Sequence, residues 1–208
     1  MIKIDGIKYI LASQSPRRRE LFKEISADFE ICVSSVDENK FIAPFPEELA
    51  MKIAEAKAED ILTNKKDSVD KIIVAADTIV VLDGKIYGKP VDRKEARKMI
   101  GELNGKFHNV ITGYCLMCAD AEIKICDFDI SQVKIKTMSD IEIDEYAEHS
   151  DCLDKAGAYA IQDMRSFSNT KNSNVRQFDI VESYTGSYFN IVGLPLEKLK
   201  KELKKIMN

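Results

Sequence analysis

The chain has 208 residues, 45% hydrophobic and 32% charged, which excludes a disordered segment, a collagen-like fibre and a disulfide-stapled mini-protein. Thirty-one basic against thirty-five acidic residues leave a net charge of −4, so the molecule as a whole is not built to coat nucleic acid or an anionic membrane, and any anion site must be local. The first ten residues carry no signal-peptide core, and the longest uninterrupted apolar stretch, Ile72–Ala76, is far short of the ~20 residues that cross a bilayer, so a cytosolic location with five reduced cysteines is expected.

Strand-like and helix-like periods alternate along the chain, which predicts an α/β protein read as one continuous domain over residues 1–208. Tyr9–Ala12 is a short strand; Ser15 then caps a helix running from Pro16 to about Ile25. A strand around Phe29–Val33 precedes a second helix, Pro46–Leu62. Ile72–Ala76 and Ile79–Leu82 are β-branched runs separated by Asp77-Thr78, and Asp83-Gly84 supplies a hairpin turn into Lys85–Tyr87. Asp92 with Glu95, and Ser139 with Glu142, mark capped helix starts. The first of these helices ends near Leu103 and the second at His149, with long strands Phe107–Cys118 and Glu122–Lys136 between them. Strands at Ala158–Ile161, Phe178–Glu182 and Tyr188–Val192 follow, then a helix from Pro195 to about Ile206. Met164–Gln177, rich in Ser, Asn, Arg and Lys, reads as a mobile surface loop.

Several segments carry candidate chemistry. Leu11 to Arg19 places a strand end, Ser13, Ser15 and the three guanidinium groups Arg17, Arg18 and Arg19 at the first turn of a helix, where unpaired N–H groups and bidentate Arg bonds suit a phosphate. A solvated basic turn is the ordinary alternative. Leu49, Ile53, Lys57 and Ile61 recur every four residues, so Lys57 falls on the inward stripe of its helix and needs either a partner or a path to water. Asp77 interrupts an apolar strand on the face of Ile73, Ala75 and Ile79; a lone carboxylate there is costly unless it meets a cation or metal, or serves as a general base. A carboxylate bonded to a backbone bulge is the structural alternative. Lys89 ends the hairpin that follows. Asp37-Glu38 sits in a polar loop and could hold a hard divalent cation. Gln162 could read a base edge or simply be satisfied in the structure. Cys115 and Cys118 form a C-x-x-C, but three residues along a strand they face opposite sides, so two core thiols are expected rather than a zinc or redox site. His108 and His149 have no triad neighbours.

Together these segments resemble the Maf family of nucleoside triphosphate pyrophosphatases over nearly the whole chain. The resemblance is carried in order by Leu11–Leu21 (L-A-S-Q-S-P-R-R-R-E-L), Asp37-Glu38, Ala56-Lys57-Ala58, Ala76-Asp77-Thr78, Gly88-Lys89-Pro90, Leu103-Asn104-Gly105 with His108, Ile111-Thr112-Gly113, Asp154–Tyr159 with Ile161-Gln162, and Asn190–Pro195. It implies an elongated mixed sheet flanked by helices with a central cleft, similar to the inosine triphosphate pyrophosphatases. It also implies cleavage between the α and β phosphates to give a nucleoside monophosphate and pyrophosphate, with magnesium or manganese. Asp77 matches the family's proton acceptor, and Ser13, Arg18, Glu38, Lys57, Lys89 and Gln162 match positions tied to activity, with Glu38 and Asp77 as metal ligands. Arg17, Thr78 and Gln162 match the substrate-selecting positions of the dTTP/UTP group rather than the 7-methyl-GTP group, which has Trp, Gln and Glu there. Asp163, where Gly is common, and the long polar segment after it depart from the pattern. The expected partner is a nucleoside triphosphate, with no membrane or nucleic acid and with a homodimer left open. The competing class is a nucleotide- or nucleic-acid-binding regulator of septum formation, which would gain nothing from a carboxylate aimed at its ligand.

Overall fold

The computed structural model describes residues 8–161 and 179–207. Seven strands form one mixed sheet in the order β2-β1-β3-β5-β6-β7, with β4 paired to β3. The residues group into two compact units. The first holds residues up to Thr78, Ile111–Asp129 and Phe189 onward; the second holds Ile79–Val110 and Ile130–Tyr188.

In the first unit β1 (Tyr9–Leu11) lies between β2 (Glu30–Ile31) and the start of β3 (Ile72–Leu82), parallel to both, with Leu11 opposite Ile31 on one side and Val74 on the other. The alternation of side chains sorts two cores. Tyr9, Leu11, Ile72, Val74 and Ala76, with Tyr114 and Leu116 of β5 (Phe107–Cys118), pack against Phe22 of α1 (Pro16–Phe22) and Leu199 and Leu203 further along the chain. Ile10, Ala12, Ile73, Ala75, Cys115 and Met117 pack on the opposite face, against Ala54, Ala58 and Ile61 of α2 (Pro46–Asn64). Helix α2 sits very close to the sheet: a Cβ placed on Gly113 would be 2.3 Å from the Ala50 carbonyl carbon, so only glycine fits there. The parity reading of the cysteines is correct. Cys115 joins the α2 side, where its sulfur is 2.7 Å from that of Cys126 on β6 (Ile123–Ile135), and Cys118 joins the other.

In the second unit the end of β3 turns through Asp83 (φ +50°) and Gly84 (φ +78°) into β4 (Lys85–Tyr87). Two consecutive positive φ values are what a two-residue hairpin needs to follow strand twist. Helix α3 (Arg93–Leu103) is capped by Asp92 accepting from Glu95 N, and α4 (Asp140–His149) by a full Ser139–Glu142 capping box. Both helices bury an apolar stripe: Ala96, Met99, Ile100 and Leu103 in one, Ile143, Tyr146 and Ala147 in the other. β7 (Val181–Thr185) runs antiparallel to β6.

Four expectations are corrected. The Asp77-Thr78 pair does not divide two strands; β3 runs through it without a break. The first helix ends at Phe22, not Ile25. Ala158–Ile161 is not a strand, because Gly157 (φ +68°) and Ala158 (φ +63°) turn the backbone into a 3-10 segment, Ala156–Ala158. Tyr188–Val192 is helix α5, closed by Gly193 at φ +115° before α6 (Leu196–Met207). The segment Met164–Gln177 and Gln162 lie outside the described residues.

Candidate active site

From β1 the chain leaves over one sheet face through α1 to β2, and returns over the other face through α2 to β3 on the far side of β1. β1 is therefore a topological switch point, and open α/β sheets bind ligands just beyond the carboxyl ends of strands at such points. Ser13, Arg18, Asp77 and Thr78 all lie at that end.

Asp77 and Thr78 are consecutive on β3 and so point to opposite faces. On the α2 face, Lys57 Nζ lies 2.7 Å from Asp77 Oδ1 and 2.6 Å from Glu38 Oε1. The Lys57 and Asp77 side chains are only 10% and 8% exposed, whereas that of Glu38 is 41% exposed. Lys57 reaches there because α2 buries Ala50, Ile53, Ala54, Lys57, Ala58 and Ile61, the three-and-four spacing of one helical face. Glu38 is presented by a single 3-10 turn, Glu38–Lys40, capped by the Asp37 carboxylate accepting from Asn39 N. Two carboxylates share one ammonium, with Asp77 and Lys57 nearly buried and Glu38 on the solvent side.

On the other face, Arg18 Nη2 donates to Thr78 Oγ1 at 2.9 Å, Nε to the Gly193 carbonyl at 2.7 Å and Nη1 to Ser13 Oγ at 3.4 Å. Ser13 is buried and its hydroxyl also accepts from Ser15 N, while Ser15 caps α1 by accepting from Arg18 N. Arg18 is partly buried, and its guanidinium is held by protein acceptors through Nε, Nη1 and Nη2. That desolvation pulls its pKa below the ordinary guanidinium value, while the charges of Asp77 and Glu38 act in the opposite direction. With α1 only seven residues long, the helix dipole is a lesser attraction for an anion than the Arg18 charge itself.

Six residues named from the sequence thus fall into two adjoining groups: Glu38, Lys57 and Asp77, and Ser13, Arg18 and Thr78. Arg17 is partly buried in the same first turn of α1. Lys89 is exposed after β4, in the second unit. Sequence reasoning assigned no role to Thr112 or to the Gly193 carbonyl, both of which complete the Arg18 group. The available signal was a threonine, Thr112, inside the apolar run Val110–Cys118. His108 is buried in the second unit with Nε2 2.6 Å from Tyr159 Oη, and burial pulls its pKa down to about 4, the state of a structural neutral imidazole.

The family model described as "Maf-like protein" matches residues 8–206. Among curated proteins, the dTTP/UTP pyrophosphatase of Caldicellulosiruptor saccharolyticus is 42% identical over 96% of this chain and 94% of its own length. That of Pyrococcus furiosus is 45% identical over 91% and 90%, and that of Clostridioides difficile 39% over 94% and 93%. Among solved structures, the Staphylococcus aureus Ham1 protein aligns over 62% of this chain and 71% of its own at 16% identity, with a TM-score of 0.39. With a match spanning nearly every described residue, and with relatives 39–45% identical over more than nine-tenths of the chain, the chain belongs to the Maf-like protein family.

Proposed function

We propose that this protein is a nucleoside triphosphate pyrophosphatase acting on dTTP and UTP. The observation that carries the reading is the pair Asp77-Thr78. One strand presents a nearly buried carboxylate on one face and, on the next residue, the anchor of a guanidinium that can bind phosphate. A phosphate-binding module has use for the second group but none for the first. The names of the relatives point to the same substrates.

In this scheme Arg18 and the Ser13 hydroxyl hold the polyphosphate, and Asp77 takes a proton from the attacking water. A bond forms from that water oxygen to the α phosphorus as the bond to the α–β bridging oxygen breaks, giving the monophosphate and pyrophosphate. Lys57 orients the Asp77 carboxylate in the free protein and gains a competing anion when the triphosphate arrives. Lys89 is carried over from the resemblance as a further residue tied to activity. Glu38 and Asp77 are the carboxylates assigned to a hard divalent cation such as magnesium or manganese; in the free protein Lys57 Nζ holds the point on which Oε1 and Oδ1 converge, and the two carboxylates together exceed its charge by one. When bound, that ion would offset phosphate charge. Arg17 and Gln162 are assigned to substrate choice. An amide at Gln162 offers one donor and one acceptor, the complement of the adjacent N3–H and carbonyl of uracil or thymine.

The test is a pyrophosphate-release screen of canonical and modified nucleoside triphosphates with magnesium, manganese and excess chelator. dTTP and UTP should exceed purine triphosphates in kcat/KM, and chelation should stop turnover. Absence of pyrophosphate release from every substrate refutes the reading. Release from 7-methyl-GTP above all others refutes the pyrimidine assignment alone.

A further inference from the structure

Thr112 is fully buried on β5, on the sheet face of Tyr114 and Leu116. Its Oγ1 donates to the Asn190 carbonyl at 2.9 Å and stands 3.0 Å from Thr78 Oγ1. A threonine hydroxyl has one proton. With that proton committed to Asn190, Thr112 can only accept from Thr78. Thr78 then has no proton left to give elsewhere, and its oxygen can only accept from Arg18 Nη2 at 2.9 Å. The chain of bonds therefore has one direction: Arg18 to Thr78, Thr78 to Thr112, Thr112 to the Asn190 carbonyl. The guanidinium also bonds directly to the Gly193 carbonyl through Nε, so both routes end on the one short segment Asn190–Gly193. Gly193 has φ +115°, and a Cβ there would come within 3.2 Å of Thr78 Oγ1 and 3.5 Å of Arg18 Nε, so this segment is shaped around the pair.

We propose that Thr112 is a positioning residue for Arg18. By taking the Thr78 proton it makes Thr78 a pure acceptor, which fixes the guanidinium plane at the end of β3. Thr78 then acts through Arg18 rather than by touching the base. The inference rests on the reading of Arg18 as a phosphate-binding group.

The test compares Thr112→Val, which keeps the shape and removes the hydroxyl, with Thr112→Ser, which restores it. Steady-state kinetics with dTTP are measured in the wild-type and Arg18→Met backgrounds, and solvent exchange of the Arg18 Nε–H is followed by NMR in the ligand-free protein. Thr112→Val should lower kcat/KM about ten- to hundredfold, the typical range for stranding a buried hydrogen-bonding group. Thr112→Ser should stay within about threefold, and Thr112→Val should cost nothing more once Arg18 is gone. Exchange at Nε–H should accelerate in Thr112→Val and not in Thr112→Ser. An equal loss in the Arg18→Met background, a serine variant as impaired as the valine one, or unchanged exchange would each overturn the proposal. If Thr112→Val does not fold, Thr112→Ala enters the same comparison. If the wild type releases no pyrophosphate, the pyrophosphatase reading fails, and the exchange experiment still decides whether Thr112 orients Arg18.

Discussion

Replacing Lys57 by methionine keeps most of the buried stem and removes the ammonium from between two carboxylates. The oxygens of Glu38 and Asp77 are no more than about 5 Å apart, since 2.6 and 2.7 Å separate them from the same nitrogen. At an effective dielectric constant of ~20, their repulsion is about 3 kcal/mol. Glu38 is exposed enough to have its share screened by solvent, so most of the cost falls on Asp77, the more deeply buried of the two. Removing one partner of a buried pair costs about 3–5 kcal/mol by the same reasoning, and about 3 kcal/mol is the expected loss at pH 8. Urea denaturation of wild type and variant from pH 8 to pH 5 measures it. In the variant the native state should bind protons that the unfolded chain does not, so the deficit should shrink as the pH falls. Adding Asp77→Asn to Lys57→Met should recover most of the stability by removing the second charge. A deficit that is constant with pH and not relieved by Asp77→Asn would mean that Lys57 stabilises through its stem alone, and the ion-pair account would be wrong.

Asp77→Asn alone should abolish turnover while leaving dTTP affinity, by calorimetry, within about tenfold, because the amide keeps the shape and cannot take the proton; turnover near wild type ends the general-base proposal. His108, with its pKa pulled from 6.5 to about 4, contributes stability that is fully present above its unfolded value and is lost as pH falls through 6.5 towards 4, about 3 kcal/mol in all. A His108→Gln variant should lack this component of the urea-midpoint slope. Gly193→Ala should destabilise by about 1–3 kcal/mol through its positive φ and should also lower kcat/KM, since the added methyl presses on Thr78 and Arg18; full activity in a folded variant would detach Gly193 from the Arg18 group.

What could be read from the sequence was whatever the chain decides within a few residues. The Asp83-Gly84 turn, the Asp92 and Ser139 caps, the inward stripe of α2 and the opposed faces of Cys115 and Cys118 all depend on local geometry, and each stands in the structure. Tyr188–Val192 is apolar and β-rich, and a five-residue run of that kind reads equally as strand or helix turn until Gly193 and the packing of Leu194 and Leu196 decide it. Ala158–Ile161 reads as a strand because a positive φ at an alanine leaves no mark in composition. The site was legible by half in the same sense. Lys57 and Asp77 each advertised a missing partner, but that they satisfy one another across 20 residues of chain is a property of how α2 lies on β3. Thr112 stands in a motif of the resemblance but advertises no chemistry of its own, since a lone buried threonine is commonplace until its proton can be followed.

The seat of α2 against Gly113 makes the helix a lever with its fulcrum at Ala50. Lys57 is seven residues beyond that point, about 10 Å along the axis at 1.5 Å per residue. With backbone resting on backbone at the fulcrum, the spacing there is set by peptide atoms, which cannot repack as side chains do. A methyl group added at position 113 would lift the helix at one end and tilt it, and the shift at Nζ would rival the tolerance of a hydrogen bond. The alignment of an ammonium with two carboxylates is thus calibrated by a residue that touches none of them. Drift in the surrounding core, where Ala54, Ala58 and Ile61 could exchange for neighbours of similar volume, leaves that calibration standing as long as the glycine does.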